Sequence, residues 1–425
     1  MSTVSLGYGR EQIACPAGDE VTVLRPRSMA APTDLRRTID AALDAPLGTP
    51  PLEEIIRPGE TVVIITSDIT RYTGSEHYLP VLIERLNRLG IDDDAITIVI
   101  ALGIHRQQTE AEHRAIVGPL YGRIAVVDHD CDDEAELVDL GPTSSGIPVR
   151  LNRRVVEADR LIVTGTASFH YFAGFGGGRK GLVPGVASRA TCMATHFAVF
   201  NPPQIGGKHP DARTGVLSGN PVHAALLEAA RKREPDFLIN TVLSPKKEIL
   251  ALFAGEMEAA HEAACQRVRQ LYAVELAAAD LAIVSCGGAP KDINFIQAHK
   301  ALDYGVRALK PGGTIILLAA CPDGFGNATF FDWFRYRELP PFEAALRERY
   351  EINGQTAYAT RSKALDYHII LISSFSKEQT ETMGMKKAES LSEALQEAAH
   401  TLPPHPVTVV IPDGGSVLPS APCDA

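Results

Sequence analysis

The densest chemistry in the sequence lies between Ser168 and His196. The run Gly176-Gly177-Gly178-Arg179-Lys180-Gly181 is preceded by Ser168-Phe169-His170-Tyr171-Phe172, and a second histidine follows at Thr195-His196. Glycines let a backbone take left-handed angles and let a ligand approach closely. A lysine whose amine is deprotonated by its surroundings is a nucleophile that forms covalent links, and Arg179 beside Lys180 disfavours the ammonium form. A glycine turn with a solvated lysine is the plain alternative for the same residues. The run is not a Walker A loop, because Gly181 follows the lysine where Ser or Thr is required, and no G-x-G-x-x-G register supports a dinucleotide fingerprint. The histidine side chain ordinarily titrates near neutrality, so His170, His196 and His105 are candidates to move protons, and His170 and His196 also to bind a late transition metal.

Two smaller clusters add anion and proton chemistry. Asp68-Ile69-Thr70-Arg71 and His105-Arg106 each follow an apolar run. Arg71 and Arg106 can grip a carboxylate bidentately, or stand exposed. Asp68 and Thr70 fit a helix cap and fit contacts to a ligand's hydroxyl groups, and both readings stay open. Further on, Gln297 and Lys300 lie three apart on a predicted helix and share a face, with His299 pointing elsewhere. Their place after a strand and a glycine loop suggests that they close over a cleft; a solvated helix surface is the alternative. The other histidines, His261 and His223 among them, show no H-x-x-x-H metal spacing and read as surface or structural.

The elements that must position these residues alternate. Apolar runs at residues 61–66, 96–101, 123–128 and 161–164 read as buried parallel strands, and residues 34–44, 78–89 and 110–117 read as helices between them. This is the pattern of a doubly wound α/β domain, whose ligands sit beyond the carboxyl ends of the strands. All three polar clusters fall at such ends. A helix at 222–232, a strand at 237–243 and a long amphipathic helix at about 256–276 lead to a second α/β region. Its predicted strands are 281–285, 314–318 and 367–372, and its helices include 295–308 and 391–401. Residues 1–25 read as a short β-meander, and the apolar tail 407–412 as a strand returning to the first domain. The expected architecture is therefore two α/β domains with mainly parallel sheets and an active-site cleft between them. The first comprises residues 1–270 plus 405–425, and the second residues 271–404.

With 425 residues, 45% hydrophobic and 22% charged, the chain can bury a sizeable core. A net charge of −11 without a polybasic run argues against nucleic-acid and anionic-membrane partners. Seven scattered cysteines without a C-x-x-C pair fit free thiols in a reducing compartment. No signal-peptide pattern or membrane-length apolar run is visible, so a cytoplasmic location is expected.

Taken in order, these stretches resemble the lactate racemase family of nickel-pincer enzymes. The resemblance rests on Asp68-Ile69-Thr70-Arg71, Gly103-Ile104-His105-Arg106, Phe169-His170-Tyr171 through Gly178-Arg179-Lys180, Thr195-His196, Asp292-Ile293-Asn294 through Gln297-Ala298-His299-Lys300, and Ile411-Pro412-Asp413-Gly414-Gly415. It spans essentially the whole chain. One departure is Tyr72, where many members carry proline. The resemblance implies a racemase or epimerase, an isomerase that inverts C2 of a 2-hydroxy acid by proton-coupled hydride transfer. It implies a nickel-pyridinium-3,5-bisthiocarboxylate mononucleotide, attached covalently through Lys180 and absent from protein made without its maturation enzymes. His196 would be the nickel ligand, and His105 and His170 the acid/base pair. Asp68, Ile69, Thr70 and Arg71 would line the cofactor and substrate region, and Arg71, Gln297 and Lys300 would bind substrate. The implied partners are the small 2-hydroxy acid and, transiently, the cofactor-synthesis enzymes. A non-catalytic carrier of the pincer nucleotide would need Lys180 and His196 but not the His105/His170 pair. A nicotinamide-dependent oxidoreductase would need the missing fingerprint.

Overall fold

A computed structural model describes residues 2–18 and 21–420. Within it the chain divides into two compact units. One comprises the chain up to Ser28, Pro202–Gly207 and the chain from Gln270 onward; the other is Met29–Asn201 with Lys208–Arg269.

The Met29–Asn201/Lys208–Arg269 unit is built on a six-stranded sheet. Its spatial order is Ile249–Gly255, Phe237–Leu243, Arg160–Thr166, Val62–Ser67, Ile96–Ala101, Ala125–Asp128. All neighbours are parallel except the edge pair Phe237–Leu243 with Ile249–Gly255. The continuous apolar runs are the reason: Val62, Ile64 and Ile65 are fully buried, as side chains on both faces of a strand are when helices cover both sides of a parallel sheet. The helix Leu35–Asp44 starts at Asp34, whose carboxylate accepts from the Arg37 N–H, and it lies within a residue of its expected span. The helix Glu110–Val117 opens with a full capping box, Thr109 and Glu112.

Several elements escape the sequence pattern. The edge strand Ile249–Gly255 alternates buried and half-buried residues only in part. The antiparallel ribbon Leu137–Pro142 with Pro148–Asn152 is masked by its prolines and Gly141. The helix Arg189–Phe197, capped by Ser188, is too short and too polar to stand out.

The other unit carries a second six-stranded sheet, ordered Lys386–Ala388, His368–Ile372, Leu309–Leu318, Ala279–Ser285, Thr408–Ile411, Val21–Val23, and parallel throughout. Two expectations fail here. The strand Thr408–Ile411 does not return to the first sheet; it pairs with Ala279–Ser285. The amino-terminal residues do not form a self-contained meander: Ser2–Tyr8 and Glu11–Ala17 make a hairpin, while Val21–Val23 adds to the edge of Thr408–Ile411. An apolar run announces a buried strand but not its partner, which is set by register and by end contacts such as the Val407 N–H donating to Asp280 Oδ2 at 2.9 Å. Each unit has its own apolar core, one around Ile64, Tyr78 and Ile98, the other around Leu6, Ile316 and Val410. Among the described residues no helix is long and apolar enough to cross a membrane. Six cysteines are free and buried; Cys423 lies outside the described residues.

Candidate active site

In the first sheet described, strand one in chain order, Val62–Ser67, lies beside strand four, Arg160–Thr166. Strands two and three continue to one side and strands five and six to the other. This is a topological switch point, where doubly wound sheets open a crevice at the strand carboxyl ends. Asp68 follows strand one directly, His105 follows strand two, and the His170 to Lys180 segment follows strand four.

His105 is the exposed member. Its Nδ1 lies 2.9 Å from Asp68 Oδ2, and the Asp68 side chain is 2% exposed. Burial works to raise the Asp68 carboxyl, but hydrogen bonds from His105 and Thr70 outweigh it and hold the group below the usual carboxylate range. The ionised Asp68 can only accept, so His105 carries its proton on Nδ1 and presents the Nε2 lone pair outward. Asp68 Oδ1 accepts from the Thr70 N–H at 2.7 Å. One carboxylate therefore caps the short turn Ile69–Arg71, as one sequence reading of Asp68 had it, and also orients a histidine, which the sequence did not offer. The Ile69 N–H donates to Gln108 Oε1 at 3.1 Å, tying this loop to the His105 loop.

His170 is held the other way round. The strand Phe169–His170 pairs with Gly174–Phe175 in a tight hairpin. Within it the Ala173 N–H points at His170 Nδ1 at 3.3 Å. Nδ1 is thus the acceptor, and the neutral ring carries its proton on Nε2, which lies 3.2 Å from Lys180 Nζ. An Nε2–H needs a lone pair opposite, and only a deprotonated lysine offers one. The electrostatics agree: burial first, then Arg179 and Arg71, brings the Lys180 amine down to about 7. Burial, then Lys180 and His196, pushes His170 well below its ordinary value. Phe172 stands between the basic groups, its ring centroid 4.5 Å from that of His170, 5.1 Å from that of His196 and 5.7 Å from Lys180 Nζ.

His196 sits at the end of the Arg189–Phe197 helix and is 5% exposed. Its Nδ1–H donates to the Cys192 carbonyl at 2.8 Å. Burial, then the nearby Lys180, brings its pKa to about 3, so the ring is neutral with a free Nε2 lone pair. This is how metal-ligating histidines are held, one nitrogen fixed by a carbonyl and the other open. Among the described residues only Asp130, Cys131 and Asp132 bring three possible donors together, and His196 is not one of them. A bare divalent ion usually takes three or four protein donors. A single histidine beside a nucleophilic lysine suits a metal that arrives with its own chelate, so the donor set fits a tethered metal-organic group.

The remaining predicted residues divide. Arg71 is exposed and has no carboxylate partner among the described residues; its Nη1 lies 3.3 Å from Thr70 Oγ1. Arg106 is not available: it closes a bidentate pair on Glu112, at 2.7 and 2.8 Å, and braces the next helix. Tyr72 turns its hydroxyl to Glu76, donating at 2.6 Å. In the other unit, Lys300 Nζ donates to Gln297 Oε1 at 3.0 Å on the helix Phe295–Gly305, and His299 is buried with its Nδ1–H on the Ile296 carbonyl. His261, read from the sequence as surface or structural, is the residue that reasoning undervalued. It is 3% exposed and packs against Gly178, where an added Cβ would meet its ring at 2.5 Å.

Comparison with known proteins identifies the family and the fold. Residues 6–206 match the lactate racemase N-terminal domain, and residues 274–418 match the lactate racemase C-terminal domain. The chain is 33% identical to a protein named lactate racemase from Thermoanaerobacterium thermosaccharolyticum, across 98% of this chain and 99% of that one. It is 34% identical to one of the same name from Lactiplantibacillus plantarum, across 98% of this chain and the whole of the other. The structure of the lactate racemase apoprotein from T. thermosaccharolyticum superposes with a TM-score of 0.88 at 32% identity, covering 98% of this chain and all of that one. A Thermotoga maritima protein shares the fold alone, with a TM-score of 0.63 at 18% identity over 93% of this chain and all of that one. With both domains matched in order and the switch-point residues in place, the chain belongs to the lactate racemase family.

Proposed function

We propose that the protein is a nickel-dependent racemase or epimerase that inverts C2 of a 2-hydroxy acid, lactate or larger. The observation that carries this reading is the opposite hydrogen-bonding of its two proton carriers: a carboxylate faces Nδ1 of one and a backbone N–H faces Nδ1 of the other. His105, fixed by Asp68, presents a lone pair; His170, fixed by the Ala173 N–H, presents an N–H. A dehydrogenase working on one enantiomer needs one such group. Inversion needs a base for the incoming hydroxyl and an acid for the outgoing one, with the roles exchanged for the mirror substrate. The names of the two full-length relatives point the same way.

Lys180 would tether the nickel-pincer nucleotide and His196 would ligate its metal through Nε2; when bound, that group supplies the acceptor that takes the C2 hydride and returns it. The chain supplies the rest. Arg71, unpaired and positively charged, attracts the substrate carboxylate. His105 takes the hydroxyl proton of one enantiomer and His170 gives one to the other. Asp68 keeps the lone pair of His105 in place, and Phe172 helps to keep water from Lys180 and the two buried rings.

The test uses protein produced with the cofactor-synthesis enzymes and single enantiomers of a 2-hydroxy acid panel, without NAD. Optical purity should decay. His105→Ala or His170→Ala should lower turnover by roughly 10²–10⁴-fold, the span of general acid–base catalysis, with nickel content unchanged. Stable optical purity across the panel with nickel bound would replace this reading by that of a carrier.

A further inference from the structure

Arg179 is 1% exposed, yet among the described residues no carboxylate pairs with it. A buried guanidinium left without an anion is costly, and a chain that keeps one uses it. Its Nη2 donates to the Ala173 carbonyl at 3.0 Å. Its Nη1 lies 3.2 Å from His261 Nε2, which is also 2.9 Å from the Gly176 carbonyl. One His261 tautomer receives from Arg179 and the other donates to Gly176; either ties the glycine turn to the helix Met257–Tyr272. The turn is held a third time where the Gly178 N–H donates to Asn240 Oδ1 at 3.0 Å. Arg179 therefore grips Ala173, whose own N–H selects the acceptor nitrogen of His170. The next residue in the chain, Lys180, is the one that the other nitrogen of His170 faces.

We infer that Arg179, braced by His261, is a positioning residue: by holding Ala173 it sets the tautomer and direction of His170, and by fixing the turn it aims the Lys180 amine at that ring. This rests on the proposed roles of His170 and Lys180 and adds to them the device that aligns the two. Asn240 and His261 act on the backbone of the turn, whereas Arg179 connects the turn to the histidine hairpin. Without Arg179 both residues keep their chemistry but lose their mutual alignment. The cation also lies beside Lys180 and favours the free amine.

Arg179 borders a small cleft with His223, Met257, Glu258 and His261, and Arg179→Ala vacates the volume of its own guanidinium for a chemical-rescue experiment. Cofactor-free wild-type protein and Arg179→Ala are treated briefly with acetic anhydride. Acetylation of Lys180 is then divided by that of exposed Lys246, by peptide mass spectrometry. At pH 6, one unit below the Lys180 value, the ratio should fall about tenfold in Arg179→Ala, the change in free-amine fraction that a one-unit rise in its pKa produces. Guanidinium at millimolar concentration should restore it, and ammonium at the same concentration should not. An unchanged or higher ratio in folded Arg179→Ala, or equal rescue by ammonium, overturns the inference. If Arg179→Ala does not fold, Arg179→Gln keeps a donor for Ala173, and His261→Phe removes the brace. The ratio should then fall in both, in Arg179→Gln because the cation is lost and in His261→Phe because the brace is, and an unchanged ratio in either overturns the inference. The intact mass of wild-type protein made with the cofactor-synthesis enzymes is measured alongside. A missing adduct there defeats the tether reading of Lys180 whatever the acetylation ratio does.

Discussion

The two sheets place similar loops at their strand ends and treat the lysines there in opposite ways. After Ala279–Ser285 comes Cys286-Gly287-Gly288, leading to Lys291 and Asp292, and after Thr408–Ile411 comes Asp413-Gly414-Gly415. Lys291 Nζ donates to Asp413 Oδ2 at 2.5 Å and to Ser416 Oγ at 3.1 Å. Asp292 Oδ2 accepts from the Gly9 and Ala320 N–H groups. That crevice neutralises its charge internally. The Lys180 crevice has no carboxylate for Lys180 or Arg179 among the described residues, and burial holds two of its histidines, His170 and His196, neutral. Strand-end geometry thus locates crevices in both sheets. On the proposed reading, what makes one of them reactive is that Lys180, His170 and His196 are left without counter-ions, which favours a nucleophilic amine and open imidazole nitrogens.

The largest expected effect breaks the comparison outright. In protein made with the cofactor-synthesis enzymes, Lys180→Ala should carry no covalent adduct by intact mass, whereas Lys291→Ala should carry it in full. An adduct that disappears with Lys291 would reverse the assignment. A smaller effect concerns pH. The folded pKa of His196, about 3, lies below its ordinary value of 6.5. Between those values the unfolded chain binds more protons, so the stability His196 contributes is complete above about 6.5 and is lost as the pH falls toward 3. His196→Phe should make the melting temperature fall less steeply than in the wild type between about pH 6.5 and 4. Parallel curves would show that His196 is not held neutral. The smallest effect is at Arg106. Its pair with Glu112 is solvent-exposed, so Arg106→Ala should leave the KM for the 2-hydroxy acid unchanged, whereas Arg71→Ala should raise it. Equal changes in KM would return Arg106 to the substrate.

Much of the fold was legible because buried parallel strands write themselves as unbroken apolar runs. The strands Ile96–Ala101 and Phe237–Leu243 and the helix Glu110–Val117 start and stop where the pattern puts them. The ribbon Leu137–Pro142/Pro148–Asn152 and the helix Arg189–Phe197 were not legible, because prolines, glycine and polar residues hide short elements that tertiary contacts stabilise. At the candidate site the residue types already offered a covalent anchor, proton carriers and metal ligands, and the resemblance assigned these roles to Lys180, His170 and His196. His261 gave no such signal: its importance comes from packing on Gly178 and from a carbonyl 85 positions away.

By itself the sequence determined which chemistries are present, that they fall at strand ends, and that two α/β regions carry them. Only the tertiary structure decided which arginine stays free, Arg71 and not Arg106, which sheet receives Thr408–Ile411, and which nitrogen of each histidine bears the proton. The physical reason is common to all three. Side-chain type and period are local, and a chain displays them directly. Tautomers, ion pairs and strand partners depend on hydrogen bonds and desolvation between residues far apart in sequence, such as Asp68 with His105 and Ala279–Ser285 with Thr408–Ile411.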